Sequence, residues 1–192
     1  HVSSRRQRQM CIRDREYDED DVEYYGGDRD VLDSSSKVIN NESNNAGPDL
    51  YDPVEGENAV NSEKAPKPVG AYPHARREGD LIYLSGVGPR QPGDNSIPGG
   101  PIKDSDGNML DYDIKAQTRA VVDNIARILE EAGSSLDKVI DVTSFLVDMD
   151  RDFQGYNEVW ADTLGQVGPT RTTLAIRALP TPIAVEMKVI AR

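Results

Sequence analysis

Hydrophobic positions after residue 63 follow two periods along the chain, one typical of helices and one typical of strands. The clearest helical period lies between Asp111 and Gly133, where apolar side chains recur every three or four residues. This spacing predicts an amphipathic helix that is capped by Asp111 or Asp113 and ends at Gly133. Its buried stripe would consist of Ile114, Thr118, Val121, Val122, Ile125, Ile128 and Leu129.

Shorter apolar runs predict the other elements of the fold. Two strand-like runs flank Glu78-Gly79-Asp80, a sequence typical of a hairpin turn. We predict a strand over 140–147, a shorter helix over 151–165, and two closing strands over 171–178 and 183–191. The inward-facing positions of the shorter helix would be Phe153, Tyr156, Val159 and Trp160.

The order of these elements predicts an α+β domain in which both helices pack on one face of a mostly antiparallel sheet. The other face of the sheet would stay uncovered, and self-association is the economical way to bury it. If the two closing strands form a hairpin across residues 179–182, Arg171, Thr173 and Glu186 share one face. The other face, under the helices, would carry Leu174, Ile176, Val185, Met187 and Val189.

Residues 1–62 differ in composition from the rest of the chain. They are rich in Asp, Glu, Ser, Asn and Gly, and they show no sustained hydrophobic period. Such a segment cannot bury enough apolar surface to offset its ordering entropy, so we predict that it is disordered. Its first ~15 residues are basic and begin with His1, which suggests that they are not native; a regulatory tail is the alternative. The folded domain is predicted to span 63–192.

The net charge of −12 is divided unequally between these two regions. Residues 1–62 contain 7 of the 22 Lys and Arg residues and 15 of the 34 Asp and Glu residues, which gives −8. Residues 63–192 therefore contain 15 basic and 19 acidic residues, which gives −4. An acidic chain without a basic stripe repels phosphate backbones, so we expect no nucleic-acid partner.

Cysteine, histidine and hydropathy narrow the class of protein further. Cys11 is the single cysteine, so an intramolecular disulfide is excluded, as is usual in a reducing compartment. The two histidines are far apart in the chain, and no zinc-type cluster accompanies them. No apolar run approaches the ~18 residues of a membrane span. We therefore expect a cytoplasmic protein without a metal and without a membrane partner.

Arg171 stands at the start of a predicted buried strand, directly after the turn Gly168-Pro169-Thr170. Its planar guanidinium suits a carboxylate ligand, which it can bind through two parallel hydrogen bonds. Glu186, on the same predicted face, could orient or deprotonate a water molecule. A structural ion pair between Arg171 and Glu186 explains the pattern equally well, so the residues alone leave both alternatives open.

Four stretches of the folded region, taken together, resemble the RidA (YjgF) family of imine and enamine deaminases. The resemblance implies a chorismate-mutase-like fold and a homotrimer whose active sites lie in the clefts between subunits. It also implies hydrolysis of an imine with release of ammonia, without a metal or an organic cofactor. The matching stretches are "KPVGAYPHARREGDLIYLSG", "DIKAQTRAVVDNIARILEEAGSSLDKVIDVTSFLVDM", "YNEVWADTLG" and "GPTRTTLAIRALPTPIAVEMKVIA".

The same resemblance implies roles for individual residues of this chain. Arg171 would bind the carboxylate of the substrate, and Glu186 would help to place the attacking water molecule. The other substrate-binding residues would be Tyr72, Ser85, Asn157 and Thr173.

One branch of the family resembles this chain more than the others do. The segments "GAYPHARR" and "GPTRTT" are similar to 2-aminomuconate deaminases of aromatic catabolism, of the tryptophan or aminophenol type. A dicarboxylate substrate would favour a second cation, for which His74, Arg76 and Arg90 are candidates, although each also fits a solvated surface position. The alternatives are a general 2-iminoacid deaminase for 2-iminobutanoate or 2-iminopropanoate, a non-catalytic ligand-binding trimer, and an RNA-cleaving translation inhibitor.

Overall fold

The computed structural model describes residues 51–192 of the chain. The predicted disorder of residues 1–50 lies outside the described residues. The described part contains six strands and two α-helices. The strands are β1 (Ala59–Val60), β2 (Ala75–Glu78), β3 (Leu81–Leu84), β4 (Val139–Leu146), β5 (Thr170–Ala175) and β6 (Val185–Ala191), and the helices are α1 (Ile114–Glu131) and α2 (Met149–Asp162).

The six strands of residues 51–192 form one sheet in the order β1-β2-β3-β6-β4-β5. Neighbouring strands are antiparallel except β4 and β5, which are parallel. The parallel pair depends on α2, which lies between these strands in the chain and carries it back to the end of the sheet where β4 began. The predictions of an α+β class and of a mostly antiparallel sheet are confirmed.

The predicted hairpin between the two closing strands is wrong. β5 and β6 both pair with β4, on its opposite sides. β6 takes the interior position because alternate residues along it are fully buried, whereas every residue of β5 keeps some exposure. A strand with that much apolar surface gains more burial between two neighbours than at an edge. β5 therefore lies at the edge of the sheet.

Both helices pack on one face of the sheet, as predicted, and the hydrophobic core lies between the two layers. The predicted stripe of α1 is buried, with Ile114 partly exposed at its start. The side chain of Asp113, rather than that of Asp111, caps the helix by accepting hydrogen bonds from two backbone N–H groups. Gly133 follows the helix with a positive φ of 73°, a conformation that glycine adopts without strain.

The prediction that Phe153 faces the core of the protein is wrong. Tyr156, Val159 and Trp160 of α2 are buried as predicted, but Phe153 is 40 % exposed. Phe153 lies at the edge of this apolar stripe, near the start of the helix. At that point the stripe faces a surface cleft instead of the core. The ring therefore lines that cleft, which the next subsection describes.

The ordered part of the chain begins before the predicted boundary at residue 63. β1 pairs with β2, with Val60 opposite Ala75, and Ser62 is only 3 % exposed. Two strand residues in a polar neighbourhood give no readable period, which is why the sequence did not indicate them. The predicted disorder of residues 1–62 is therefore wrong for 51–62.

The second face of the sheet, which we call the open face, carries no helix in residues 51–192. The register places Glu186 opposite Phe145 on this face, and Phe145 opposite Leu174. Leu174 was predicted to lie under the helices, but it is 44 % exposed on the open face, and Tyr83 is 38 % exposed there. None of the helices in the described part is long and apolar enough to cross a membrane.

The cap of α1 gives a stability prediction. The Asp113 side chain accepts hydrogen bonds from the N–H groups of Lys115 (2.8 Å) and Ala116 (3.1 Å). Asp113→Ala leaves these donors without a side-chain partner, and it should lower the free energy of unfolding by about 1 kcal/mol. The matched control is Asp123→Ala on the exposed side of the same helix, which should be neutral or slightly stabilising. Urea denaturation at one fixed protein concentration measures both, and equal losses would contradict the assigned cap.

Candidate functional site

The two residues with predicted catalytic roles lie on opposite faces of the sheet. Arg171 pairs in register with Val142, which pairs with Val189, and both valines are fully buried under the helices. Arg171 therefore points to the helix side. Glu186 alternates with the buried residues of β6 and lies on the open face. The prediction that Arg171 and Glu186 share one face, and the ion pair that it allowed, are both wrong within one protomer.

Residues from β5 and α2 surround the Arg171 side chain and hold it in one orientation. Its Nη1 donates a hydrogen bond to Oδ1 of Asn157 (2.9 Å). Its guanidinium carbon lies 4.8 Å from the centre of the Trp160 ring and 5.6 Å from that of Tyr156, which are cation–π distances. We call Arg171, Asn157, Thr173, Tyr156 and Trp160 the arginine cluster. Its guanidinium keeps N–H donors free for a ligand.

Thr173 adds an unsatisfied hydroxyl to the arginine cluster. Among the described residues, its buried Oγ1 has no hydrogen-bond partner. It lines a surface cleft together with Arg171 and with α2 side chains that include Met149 and Phe153. Buried polar atoms nearly always have a partner, so a polar ligand in this cleft would satisfy the hydroxyl beside the cation.

The second group of candidates lies around Glu186 of β6 and the segment that follows β3. Tyr72, Ser85 and Arg90 line one pocket together with Gly86. Glu186 lies directly against Gly86, and a β-carbon at that position would collide with Oε1 of the glutamate. We call Tyr72, Ser85, Arg90 and Glu186 the glutamate cluster. Glycine follows Ser85 because the carboxylate occupies the space that a larger residue would need.

Electrostatics in the glutamate cluster favour a basic carboxylate. Burial raises the pKa of Glu186, and the positive charge of Arg90 partly opposes this shift. Burial likewise lowers the pKa of Arg90, against the opposing influence of Tyr72 and Glu186. Among the described ion pairs of 4.0 Å or less, none joins Arg90 to Glu186. The carboxylate is therefore left unpaired in a partly desolvated site, where it can accept a proton.

His74 lines the same pocket, but its ring binds the backbone on both sides. The N–H of Ser62 donates to Nδ1 (3.2 Å), so Nε2 carries the proton and donates to the carbonyl oxygen of Pro66 (3.1 Å). The residue is 7 % exposed, and burial lowers its pKa. A neutral ring whose two nitrogens both bind the backbone has a structural role and does not supply the predicted positive charge. We call this pair of hydrogen bonds the His74 clasp. Arg76 lies outside the pocket, exposed beside Glu78.

Trp160 of the arginine cluster and Gly86 beside the glutamate cluster have roles that the sequence analysis did not assign. Trp160 was predicted only as a core residue, yet its ring supports Arg171; its position three residues after Asn157 is the helical spacing that could have indicated this. Gly86 was given no role, yet its lack of a side chain leaves room for the Glu186 carboxylate. The hydroxyl of its neighbour Ser85 donates to the carbonyl oxygen of Pro73 (2.7 Å). Within residues 51–192, no group of three or more potential ligands could hold a metal ion.

Comparisons with known proteins place this site in a family context. Residues 62–192 match the family model described as Endoribonuclease L-PSP. A RutC family protein of Pyrococcus abyssi is 38 % identical over 130 residues, which are 68 % of this chain and 92 % of that protein. Reactive Intermediate Deaminase A, chloroplastic, of Arabidopsis thaliana is 31 % identical over 132 residues, 69 % of this chain and 64 % of that protein. The crystal structure of RidA from an Antarctic Psychrobacter superposes with a TM-score of 0.59 at 32 % identity, covering 69 % of this chain and 97 % of that one.

The clasp at His74 predicts a pH-dependent stability. Because burial lowers the folded-state pKa below the unfolded value of about 6.5, the neutral ring contributes its full stability above that pH. This contribution is lost as the pH falls from about 6.5 through the folded-state pKa. His74→Gln keeps an acceptor and a donor but does not titrate, so it should remove this part of the acid sensitivity. Urea denaturation of both proteins across this pH range measures the difference, and parallel stability curves would show that His74 is not the titrating group.

Proposed function

Because the chain belongs to the Endoribonuclease L-PSP family, which includes RutC and RidA proteins, we propose that it is an imine deaminase acting on a small acid. Its fold is the chorismate-mutase-like α+β fold of the RidA structures, as the sequence resemblance implied. The name of the Arabidopsis relative, Reactive Intermediate Deaminase A, supports a deamination reaction.

The single observation that carries this proposal is the division of the candidate residues between the two faces of the sheet. The sheet itself lies between the two side chains, so one protomer does not present Arg171 and Glu186 to the same imine carbon. Arg171 and Thr173 of the arginine cluster lie on the edge strand β5, where a second copy can reach them. We propose a homotrimer in which the arginine cluster of one copy meets the glutamate cluster of the next.

The open face supports self-association of this kind. It exposes the large apolar side chains of Tyr83 and Leu174, with Phe145 and Ile190 beside them in register. These two apolar pairs, Tyr83–Ile190 and Phe145–Leu174, lie on either side of Lys188 and Thr143. Large apolar side chains exposed on a protein surface are a usual site of protein–protein contact. Copies packed through this face would bury it and would place each Glu186 at a subunit boundary.

Arg171 binds the substrate in the proposed mechanism. Its free donors take the carboxylate next to the imine carbon through charge-assisted hydrogen bonds, while Asn157 and the two aromatic rings fix the guanidinium plane. The unsatisfied hydroxyl of Thr173 donates to the same carboxylate. This fixes the imine carbon in position and removes much of the orientational cost of attack.

Glu186 acts on the water molecule that attacks the imine carbon. It accepts a proton from the water molecule as the new C–O bond forms and passes a proton to the imine nitrogen, which gives a neutral carbinolamine. The hydroxyl proton of the carbinolamine then moves through Glu186 to the nitrogen as the C–N bond breaks, so that ammonia leaves and the carbon becomes a carbonyl. The raised pKa of Glu186 makes its carboxylate a stronger base than an exposed glutamate. Tyr72 and Ser85 complete the pocket by hydrogen bonding to the substrate or the water molecule.

Within this reaction class we propose 2-aminomuconate as the substrate, which would react after its enamine has tautomerised to an imine. The segments "GAYPHARR" and "GPTRTT" support this choice. The alternative is a general deaminase for monocarboxylic imines such as 2-iminobutanoate. The predicted cytoplasmic location remains a prediction, since the Arabidopsis relative is named as chloroplastic.

RNA cleavage is a second candidate function because the matching family model is described as an endoribonuclease. Binding to RNA depends mainly on contacts between basic residues and phosphates. Residues 63–192 contain 15 basic and 19 acidic residues, and the chain as a whole carries a charge of −12. We therefore place this candidate second to deamination.

Ammonia release tests the proposed deaminase. The purified chain should accelerate ammonia release from 2-aminomuconate and from 2-iminobutanoate above the spontaneous rate, with the larger kcat/KM for 2-aminomuconate. Arg171→Ala should lower kcat/KM by about 100-fold, because a charged clamp on the substrate is lost. The matched control is Arg177→Ala, an exposed arginine just beyond β5, which should react like the wild-type protein.

Other results of this assay would change the proposal in defined ways. A larger kcat/KM for 2-iminobutanoate would make the protein a general deaminase. If Arg171→Ala and Arg177→Ala had the same activity, Arg171 would not be the substrate clamp. A folded wild-type protein that released no ammonia from either compound would refute deamination.

A further inference from the structure

Arg90 is a charged residue of the glutamate cluster for which the reaction described above has no use. It lies in the loop after β3 and lines the pocket with Tyr72, Ser85 and Gly86. His74 lines the same pocket, but it is a neutral clasp, and Arg76 lies outside. Of the three predicted cations, Arg90 alone brings a positive charge to this pocket.

The Arg90 side chain is fixed in place by the protein around it. Its Nη1 donates to Oδ1 of Asn95 (2.8 Å), and its Nη2 donates to the carbonyl oxygen of Lys67 (2.7 Å). Its own carbonyl oxygen accepts a hydrogen bond from Nδ2 of Asn124 (2.8 Å), a fully buried residue of α1. The Arg90 side chain has therefore already lost the rotamer entropy that a flexible arginine would lose on binding a ligand.

Arg90 also lacks a carboxylate partner among residues 51–192. No ion pair of 4.0 Å or less includes it, although the negative charge of Glu186 is close enough to act on it through space. A partly desolvated guanidinium that bonds only to neutral oxygens is costly unless an anion completes its shell. Its remaining N–H donors are available for that anion.

We propose that Arg90 binds a second carboxylate of the substrate, so that the preferred substrates are imines of dicarboxylic acids. The inference rests on the proposed function and deepens it by naming the substrate class. Arg171 takes the carboxylate beside the imine carbon, and Glu186 takes the water molecule at that carbon. Arg90, the remaining charged residue of the glutamate cluster, can then bind the carboxylate at the far end of the substrate.

A purely structural role for Arg90 leads to different expectations. As a structural link between the segments of Lys67 and Asn95, it would support every substrate equally, because the neighbours of Lys67, Pro66 and Pro68, line the pocket. As a recognition residue, it would affect only substrates with a second negative charge. The ratio of kcat/KM for a dicarboxylic imine to that for a monocarboxylic imine separates the two roles. A substitution of Arg90 that also alters Glu186 changes kcat/KM for both substrates, so this effect cancels in the ratio.

The test uses 2-iminoglutarate and 2-iminopentanoate, which share a five-carbon chain and differ in the terminal carboxylate or methyl group. Each imine is generated in place by oxidation of the matching amino acid, and ammonia release is measured above the spontaneous rate. The full chain should prefer 2-iminoglutarate. Arg90→Met should lower the preference by about tenfold or more, since a charged hydrogen bond is lost. Arg90→Lys should keep part of it, and the matched control Arg76→Met should keep all of it.

Competition in the wild-type protein gives a second readout that does not depend on the folding of any variant. Glutarate should inhibit more strongly than pentanoate, because only glutarate can reach both Arg171 and Arg90. Equal inhibition, a wild-type preference for 2-iminopentanoate, or an equal loss of both activities in Arg90→Met would each overturn the role of Arg90 while leaving the deaminase in place. A wild-type protein that releases no ammonia from these two imines, from 2-aminomuconate or from 2-iminobutanoate would refute the proposed function itself.

Discussion

The alternation of side chains along β6 is the constraint on which the rest of the structure depends. Val185, Met187 and Val189 are fully buried against the helices, so the residues between them must face the other way. A slip of one residue would bury the carboxylate of Glu186 in the hydrophobic core and expose these apolar side chains. Both changes are strongly unfavourable, so the core fixes Glu186 on the open face.

The same sheet fixes Arg171 on the side of the helices. β5 runs parallel to β4, and its register places Arg171 beside a buried valine, where Asn157 and Trp160 of α2 can hold it. The core thus separates a cation and a carboxylate that the proposed reaction needs together. In the proposed mechanism a second copy completes the site, which would connect the fold directly to the assembly of the protein.

The sequence predicted local structure well and long-range pairing poorly. The α1 stripe and the turn at Gly79 depend on neighbouring residues, and both lie where their periods and turn residues indicated. The pairing of β5 and β6 was wrong because the nearest strand in the sequence is not always the nearest strand in the sheet. β6 carries the larger apolar surface and takes the interior position, a choice that depends on β3 and β4 as well.

The candidate site shows the same division between local and long-range information. Residue type and the predicted strand faces singled out Arg171 and Glu186 but left a structural ion pair open, and only the resemblance to a family indicated the roles of the other residues. Their positions could not be predicted, because the hairpin assumption placed Arg171 and Glu186 on one face and because hydrogen bonds from distant backbone groups decide the state of His74. The support of Arg171 by Trp160 likewise depends on how α2 crosses the sheet, which no short segment determines.

Subunit mixing is the measurement that tests most directly whether two copies build each site. Arg171→Ala and Glu186→Gln, each expected to have little activity alone, are co-refolded in equal amounts and assayed for ammonia release. In a closed trimer with sites between subunits, random assembly restores both intact residues at about one quarter of the sites, so about one quarter of wild-type activity should return. Mixed trimers without any regained activity would contradict the account, because each site would then lie within one chain.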